Sequence, residues 1–90
     1  MTTMNLTISS PDGTIFKGEV SGISLRGADG DLAVLAGHVP FITSVKPGVC
    51  KVMFDDDTEK NGYVDGGLLT VSSDGVNLLA GSFTWQNIEE

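Results

Sequence analysis

Glycine and proline interrupt this chain so often that they decide its fold class. Twelve glycines and three prolines are spread over 90 residues. Between Thr2 and Val49 they leave no window as long as an average helix of about eleven residues. Glycine weakens a helix interior and proline breaks it. We therefore expect an all-β fold with very little helix.

The segments between these interruptions have the composition and length of short strands. Leu6 and Ile8 alternate with Thr7 and Ser9, which is typical of a half-buried strand. Further strands are predicted at residues 14–17, 20–25, 32–36, 41–45, 49–54, 62–66, 68–71 and 76–80. We expect Gly22 to mark a bulge. Short, evenly spaced strands predict a flattened barrel or β-sandwich of about eight to ten strands.

Turn residues indicate how some of these strands pair. Pro11-Asp12-Gly13 predicts a tight turn, because proline presets φ and glycine accepts a positive φ. Residues 49–54 and 62–66 form one predicted hairpin, and residues 68–71 and 76–80 form another. The end of the sequence, 81–90, is open to two interpretations, part of a helical turn or a docking tail, and Trp85 is either a tail anchor or a partner contact.

Ten apolar side chains make up the predicted core, each stabilising the fold by roughly 1.5–3 kcal/mol when fully buried. They are Phe16, Ile23, Leu25, Leu32, Leu35, Val52, Phe54, Leu69, Val71 and Leu78. Cys50 lies in an apolar run, so we expect a buried thiol. A single cysteine and a single histidine allow neither an internal disulfide nor a four-ligand zinc site.

Length and charge narrow the classes of function. Ninety residues make one domain. A net charge of −7 argues against nucleic-acid binding and against attachment to anionic lipid. The first ten residues have neither the pattern of a signal peptide nor the arginines of a mitochondrial import sequence, and no segment has the ~20 apolar residues of a membrane span. We expect a soluble domain on the cytosolic side that binds a protein partner.

Five motifs occur in order along the chain. They are F-x-G-x-V at 16–20, G-x-[DE]-G-[DE]-L-x-[IVL]-L-x-G-H-x-P at 27–40, K-P-G at 46–48, G-G-x-L-x-V at 66–71 and V-x-[VL]-L-A at 76–80. Together, over about residues 4 to 80, they resemble the N-terminal β-sandwich domain of the epsilon subunit of rotary F-type ATP synthases. The family usually continues the last strand with Ala-Asp, whereas this chain has Ala80-Gly81.

The resemblance implies a non-catalytic rotor subunit that links the gamma subunit to the membrane c-ring and supports coupling of ion flow to ATP synthesis. It implies gamma contacts at His38, Pro40, Phe41 and Thr43, and c-ring contacts at Asp31 with Asp29 beside it. It implies no cofactor, no metal and no membrane insertion. The expected location is peripheral, on the cytoplasmic side of a bacterial cell membrane.

The resemblance also sets expected domain limits. Residues 1–81 correspond to the sandwich, and residues 82–90 to a tail where the family's pair of antiparallel C-terminal helices would begin. The sequence as given ends at Glu90, before such a pair. The ATP-sensing and braking roles of the family belong to those helices, so the resemblance carries neither role over to these residues.

Several features keep a second interpretation. His38 is a docking residue, a structural corner residue or, least supported without a nucleophile nearby, a catalytic base. Asp29-Gly30-Asp31 is a turn whatever its function. Asp55-Asp56-Asp57 with Glu59 is a solvated hairpin tip rather than a calcium site, because consecutive strand residues point to opposite faces. The rival functions are a stand-alone adhesion or carbohydrate-binding sandwich and a small cupin-like enzyme.

Overall fold

The computed structural model describes residues 3–28, 30–35, 40–54 and 58–85, and within them it contains strands and no helix. The ten strands are β1 (Met4–Ser10), β2 (Gly13–Val20), β3 (Gly22–Gly27), β4 (Gly30–Leu35), β5 (Phe41–Val45), β6 (Gly48–Met53), β7 (Glu59–Val64), β8 (Gly67–Ser72), β9 (Gly75–Ala80) and β10 (Phe83–Trp85). The predicted all-β class is confirmed, and both predicted hairpins form, as β6–β7 and β8–β9.

The ten strands form one continuous hydrogen-bonded sheet that folds into two layers of five strands, which we call the first and the second sheet. The first sheet has the order β4-β3-β6-β7-β10, and the second has the order β5-β8-β9-β1-β2. A single residue pair between β3 and β5, Gly27 with Val45, joins them into one nearly closed sheet. Every pairing is antiparallel except the parallel pair β1–β9. The result is the flattened barrel that the sequence predicts.

The core lies between the two sheets because alternate residues of each strand point inward. Among the ten predicted core residues, six are buried: Ile23, Leu25, Val52, Leu69, Val71 and Leu78. Phe16, Leu32 and Phe54 are half-buried and pack against this core. Leu35 was predicted wrongly, since its side chain is 55% exposed. Its neighbour Val34 points inward, so Leu35 points outward over Gly22.

The expected bulge at Gly22 is also wrong. The irregular register lies in β1–β2, where Ile8 pairs with Phe16 but Ser9 pairs with Thr14. Gly22 instead begins β3, directly after the break at Ser21. A β-carbon at this position would lie 2.8 Å from Cδ2 of Leu35. Gly22 therefore leaves room for the Leu35 side chain, and it does not mark an inserted residue.

The chain end is part of the sheet as far as Trp85. Strand β10 pairs with β7, Phe83 opposite Val64 and Trp85 opposite Gly62. The Trp85 ring contacts the Phe83 ring, with 4.9 Å between centroids, and the Phe16 ring at 5.8 Å. The Lys60 ammonium lies 4.6 Å from the Trp85 centroid. Trp85 is thus an anchor on the sandwich, and Phe83–Trp85 is a strand rather than a helical turn.

Candidate partner-binding surfaces

The predicted c-ring contact lies near one end of the sandwich, where five of the connections between strands come together. The strand registers bring together the turns β1–β2, β3–β4, β5–β6, β7–β8 and β9–β10. We call this surface the turn end; its described residues are Pro11, Asp12, Ala28, Lys46, Pro47, Asp65, Gly66, Gly81 and Ser82. Its turns need glycines with positive φ, such as Gly30 at +129° and Gly66 at +94°.

Asp31 lies exposed beside the turn end, where β4 begins. It pairs across the hairpin with Arg26, and Nε of Arg26 is 3.4 Å from Oδ1 of Asp31. Both side chains are largely in solvent, so this ion pair contributes little to stability, of order 0–1 kcal/mol. Sequence reasoning missed Arg26, although it directly faces Asp31 in the β3–β4 hairpin. Asp29 lies outside the described residues.

The predicted gamma contacts lie on or next to β5, but they do not share an outward face. Pro40 is exposed just before the strand. Phe41 pairs with Val71 and packs against the core, and Thr43 pairs with the buried Leu69. Directly opposed residues of antiparallel strands share a face, so Phe41 and Thr43 point inward. The remaining predicted contact, His38, lies outside the described residues.

The outward apolar residue of β5 is Ile42, which sequence reasoning missed. Its side chain is 66% exposed. The signal was available, because alternation along β5 with Val45 inside places Ile42 and Ser44 outside. Leu68 and Leu79, a directly opposed pair on β8 and β9, are exposed on the same side of the sheet.

These three apolar side chains belong to a surface that lacks charge. We call it the uncharged face, and its outward residues on β1, β5, β8 and β9 are Thr7, Ser9, Ile42, Ser44, Leu68, Thr70, Asn77 and Leu79. None is ionisable, in a chain whose charged fraction is 19%. Depletion of charge with exposed apolar groups is characteristic of the centre of a protein–protein interface.

The outer face of the first sheet is different. It carries the Arg26–Asp31 pair and a second ion pair, with Nζ of Lys51 3.7 Å from Oε1 of Glu59. Val49, 52% exposed, lies there opposite Tyr63. Both sheets therefore expose apolar side chains, but in the second sheet the four adjacent strands β5, β8, β9 and β1 do so without an outward charge. The charged residues of that side, Lys17 and Glu19, lie on the edge strand β2, opposite Thr7 and Asn5.

Comparison with known proteins identifies the fold family. A family model described as "ATP synthase, Delta/Epsilon chain, beta-sandwich domain" matches residues 3–86. The chain belongs to this family. The resemblance that the five sequence motifs indicated is thereby confirmed, and the match includes β10.

Two solved structures contain a chain with a similar fold. A chain in the Euglena gracilis mitochondrial ATP synthase structure, titled as OSCP/F1/c-ring, aligns at a TM-score of 0.87 and 24% identity, covering 94% of this chain and 54% of that one. A chain in the Tetrahymena thermophila mitochondrial ATP synthase central stalk/c-ring aligns at 0.75 and 15% identity, covering 89% and 64%. The present chain thus spans about half to two thirds of these neighbours, and the likeness to them is one of fold.

The largest groups of polar side chains in the described residues do not suggest a metal site. A cleft of about 450 Å³ lies at the end opposite the turn end, and its described lining residues include Glu19 and Asp74 but no histidine or cysteine. Within the described ranges no three His, Cys, Asp or Glu side chains are grouped so that they could hold a metal ion. Those ranges also contain no helix of the length and apolarity that crossing a membrane requires.

Proposed function

We propose that this chain is a non-catalytic central-stalk subunit of a rotary F-type ATP synthase. In this role it binds the gamma subunit and the c-ring at the same time, and it supports coupling of ion flow to ATP synthesis. Membership of the delta/epsilon family supports the proposal, as do structural neighbours from ATP synthase assemblies that include a central stalk or a c-ring. Catalysis is assigned to other subunits, so no residue of this chain has a catalytic role.

The observation that carries the proposal is the uncharged face. An apolar partner surface can cover Ile42, Leu68 and Leu79 without leaving a charge buried and unpaired. Burial of apolar area contributes about 25 cal/mol per Å² before the cost of association. We assign this face to the gamma subunit. Phe41 and Thr43 support it from beneath, and Pro40 lies at its border.

The second assignment places the c-ring at the turn end. Asp31 is exposed there, and its carboxylate can accept hydrogen bonds from a polar loop. The turn end lies at the ends of the strands and the uncharged face lies on their flank, so one partner does not cover the contact of the other. The domain thereby acts as a wedge whose densely packed interior transmits strain. The associated location is peripheral, at the cytoplasmic side of a bacterial cell membrane.

Substitutions on the uncharged face test the gamma assignment. Ile42→Asp and Leu79→Asp should each weaken binding to the gamma subunit by roughly thirtyfold, because each would bury an unpaired carboxylate in the interface centre, worth about 2 kcal/mol or more. The measurement is the dissociation constant of the full chain with purified gamma subunit, by titration calorimetry.

Val49→Asp is the matched control. Val49 is an exposed strand residue on the other sheet, so the substitution carries the same cost of low strand propensity. It should leave the dissociation constant within about twofold of the wild type. Equal weakening by Ile42→Asp and Val49→Asp would reject the uncharged face as the gamma site. Absence of gamma binding by the wild-type chain would reject the proposed function itself.

A further inference from the structure

We propose that Lys46 is a second c-ring contact, and that the turn end binds the ring as one composite surface rather than through the β3–β4 tip alone. This inference rests on the proposed function. In this inference the Lys46 ammonium pairs with a carboxylate in the polar loops of the c-ring. Asp31 and its neighbours accept hydrogen bonds from donor groups of the ring. Neither the family motifs nor the predicted site residues assign a contact to Lys46.

The backbone holds Lys46 beside the predicted contact. The Lys46 amide donates a hydrogen bond to the Arg26 carbonyl, 2.9 Å between N and O. The preceding residue, Val45, pairs with Gly27 in the only pairing that joins the two sheets within the described chain. Lys46 therefore has a fixed position relative to the Arg26–Asp31 pair, although it lies on a different connection.

Further backbone hydrogen bonds link the other connections of this end. The Asp65 amide donates to the Ser82 carbonyl, and the Gly81 amide donates to the Gly66 carbonyl, each at 3.1 Å. Gly66 lies against the Pro47 ring, since a β-carbon there would be 3.8 Å from Cδ of Pro47. The β5–β6, β7–β8 and β9–β10 connections thus form one platform, joined through Lys46 to β3. Because backbone hydrogen bonds already hold these connections in place, the loss of conformational entropy on binding a partner is small.

The charge of Lys46 is available for a partner. Its side chain is exposed, and no ion-pair partner lies within reach of it in the described ranges. Three other cations are engaged: Arg26 with Asp31, Lys51 with Glu59, and Lys60 with the Trp85 ring.

The surroundings of Lys46 give its charge a specific use. Asp12 and Asp65 are exposed at the turn end, and Asp31 lies beside it. A partner loop with carboxylates would be repelled by most of this surface and attracted at Lys46. Such a pattern fixes the register of two surfaces more than it raises their affinity.

The test measures binding of the full chain, in complex with gamma subunit, to purified c-ring immobilised in detergent. Lys46→Glu should weaken binding by roughly tenfold and Lys46→Gln by less, whereas Lys46→Arg should bind within about twofold of the wild type. The salt dependence of binding should decrease in Lys46→Gln, because one charge pair is lost. Gamma affinity should not change.

Lys17→Glu is the matched control, since it makes the same change in net charge at an exposed position of β2, away from the turn end. It should bind the ring within about twofold of the wild type.

The variant Asp31→Lys distinguishes failure of the Lys46 inference from failure of the proposed function. If Asp31→Lys weakens ring binding and Lys46→Glu does not, the Lys46 inference is overturned while the proposed function stands. If the wild-type complex does not bind the ring, the proposed function fails; equal effects of Lys17→Glu and Lys46→Glu would show only a net-charge effect and also overturn the inference.

Discussion

At the scale of single residues, a step of one position along a strand decides which side chain a partner can reach. Phe41, an expected gamma contact, packs against the core, while Ile42 is exposed. This difference in exposure is the reason why we propose Ile42, with Phe41 beneath it, as the side chain that contacts the gamma subunit. Which of two neighbours is outward follows from the strand period, once an inward residue such as Val45 fixes the phase.

Cys50 gives a prediction at the same scale. Burial raises the pKa of its thiol from 9.0 to about 12. Between these values the unfolded chain loses the proton and the folded chain keeps it, so the free energy of unfolding falls as pH rises. Urea unfolding from pH 8 to 11 should therefore show a steeper loss of stability for the wild type than for Cys50→Ala. Parallel curves for the two proteins would contradict this, because all other titrating groups are shared.

At the scale of elements, sequence reasoning succeeded where pairing is local. The hairpins β6–β7 and β8–β9 were predicted because their turns are marked by polar and glycine residues. Strand β10 was missed because its three residues are too few to show alternation. Its partner, β7, is also not adjacent in sequence. The uncharged face was hidden for a similar reason, since its strands β1, β5, β8 and β9 become neighbours only through long-range pairing.

Gly62 tests how β10 is held. A β-carbon at Gly62 would overlap Cζ of the Phe83 ring. Gly62→Ala should displace β10 and lower the free energy of unfolding by about 1–3 kcal/mol. The measurement is urea unfolding, together with a red shift of the Trp85 emission in the folded state.

Gly81→Ala is the comparison for this experiment. A β-carbon at Gly81 meets no heavy atom within 4 Å. Its φ is not among the positive values, so alanine fits without strain. Its stability should stay within about 0.5 kcal/mol of the wild type. A Gly62→Ala protein as stable as Gly81→Ala would show that Phe83 does not need the space.

At the scale of the whole molecule, the topology is dominated by contacts between distant segments. The first strand lies beside β9 in a parallel pair, and Leu6 is opposite Val76. Forming such pairs requires closing a long loop before the contact contributes. The sequence predicts strands and turns one by one. The pairing of β1 with β9 depends instead on the complete core, to which distant segments contribute.

Refolding should therefore be slow for a chain of this size. We expect single-exponential refolding in milliseconds to seconds, as is typical of sandwiches with non-local pairing. Stopped-flow fluorescence of Trp85, the only tryptophan, measures it directly. Refolding within microseconds would contradict a mechanism limited by long-range pairing.

The directions of β1 and β10 have a practical consequence. Met4 lies opposite Val20, at the end of the sandwich opposite the turn end. Strand β10 starts near the turn end at Phe83 and runs away from it to Trp85. A fluorophore attached at Met4 would thus lie on the side remote from Asp31 and Lys46. Binding at the surface that we propose for the ring could be measured with such a label in place.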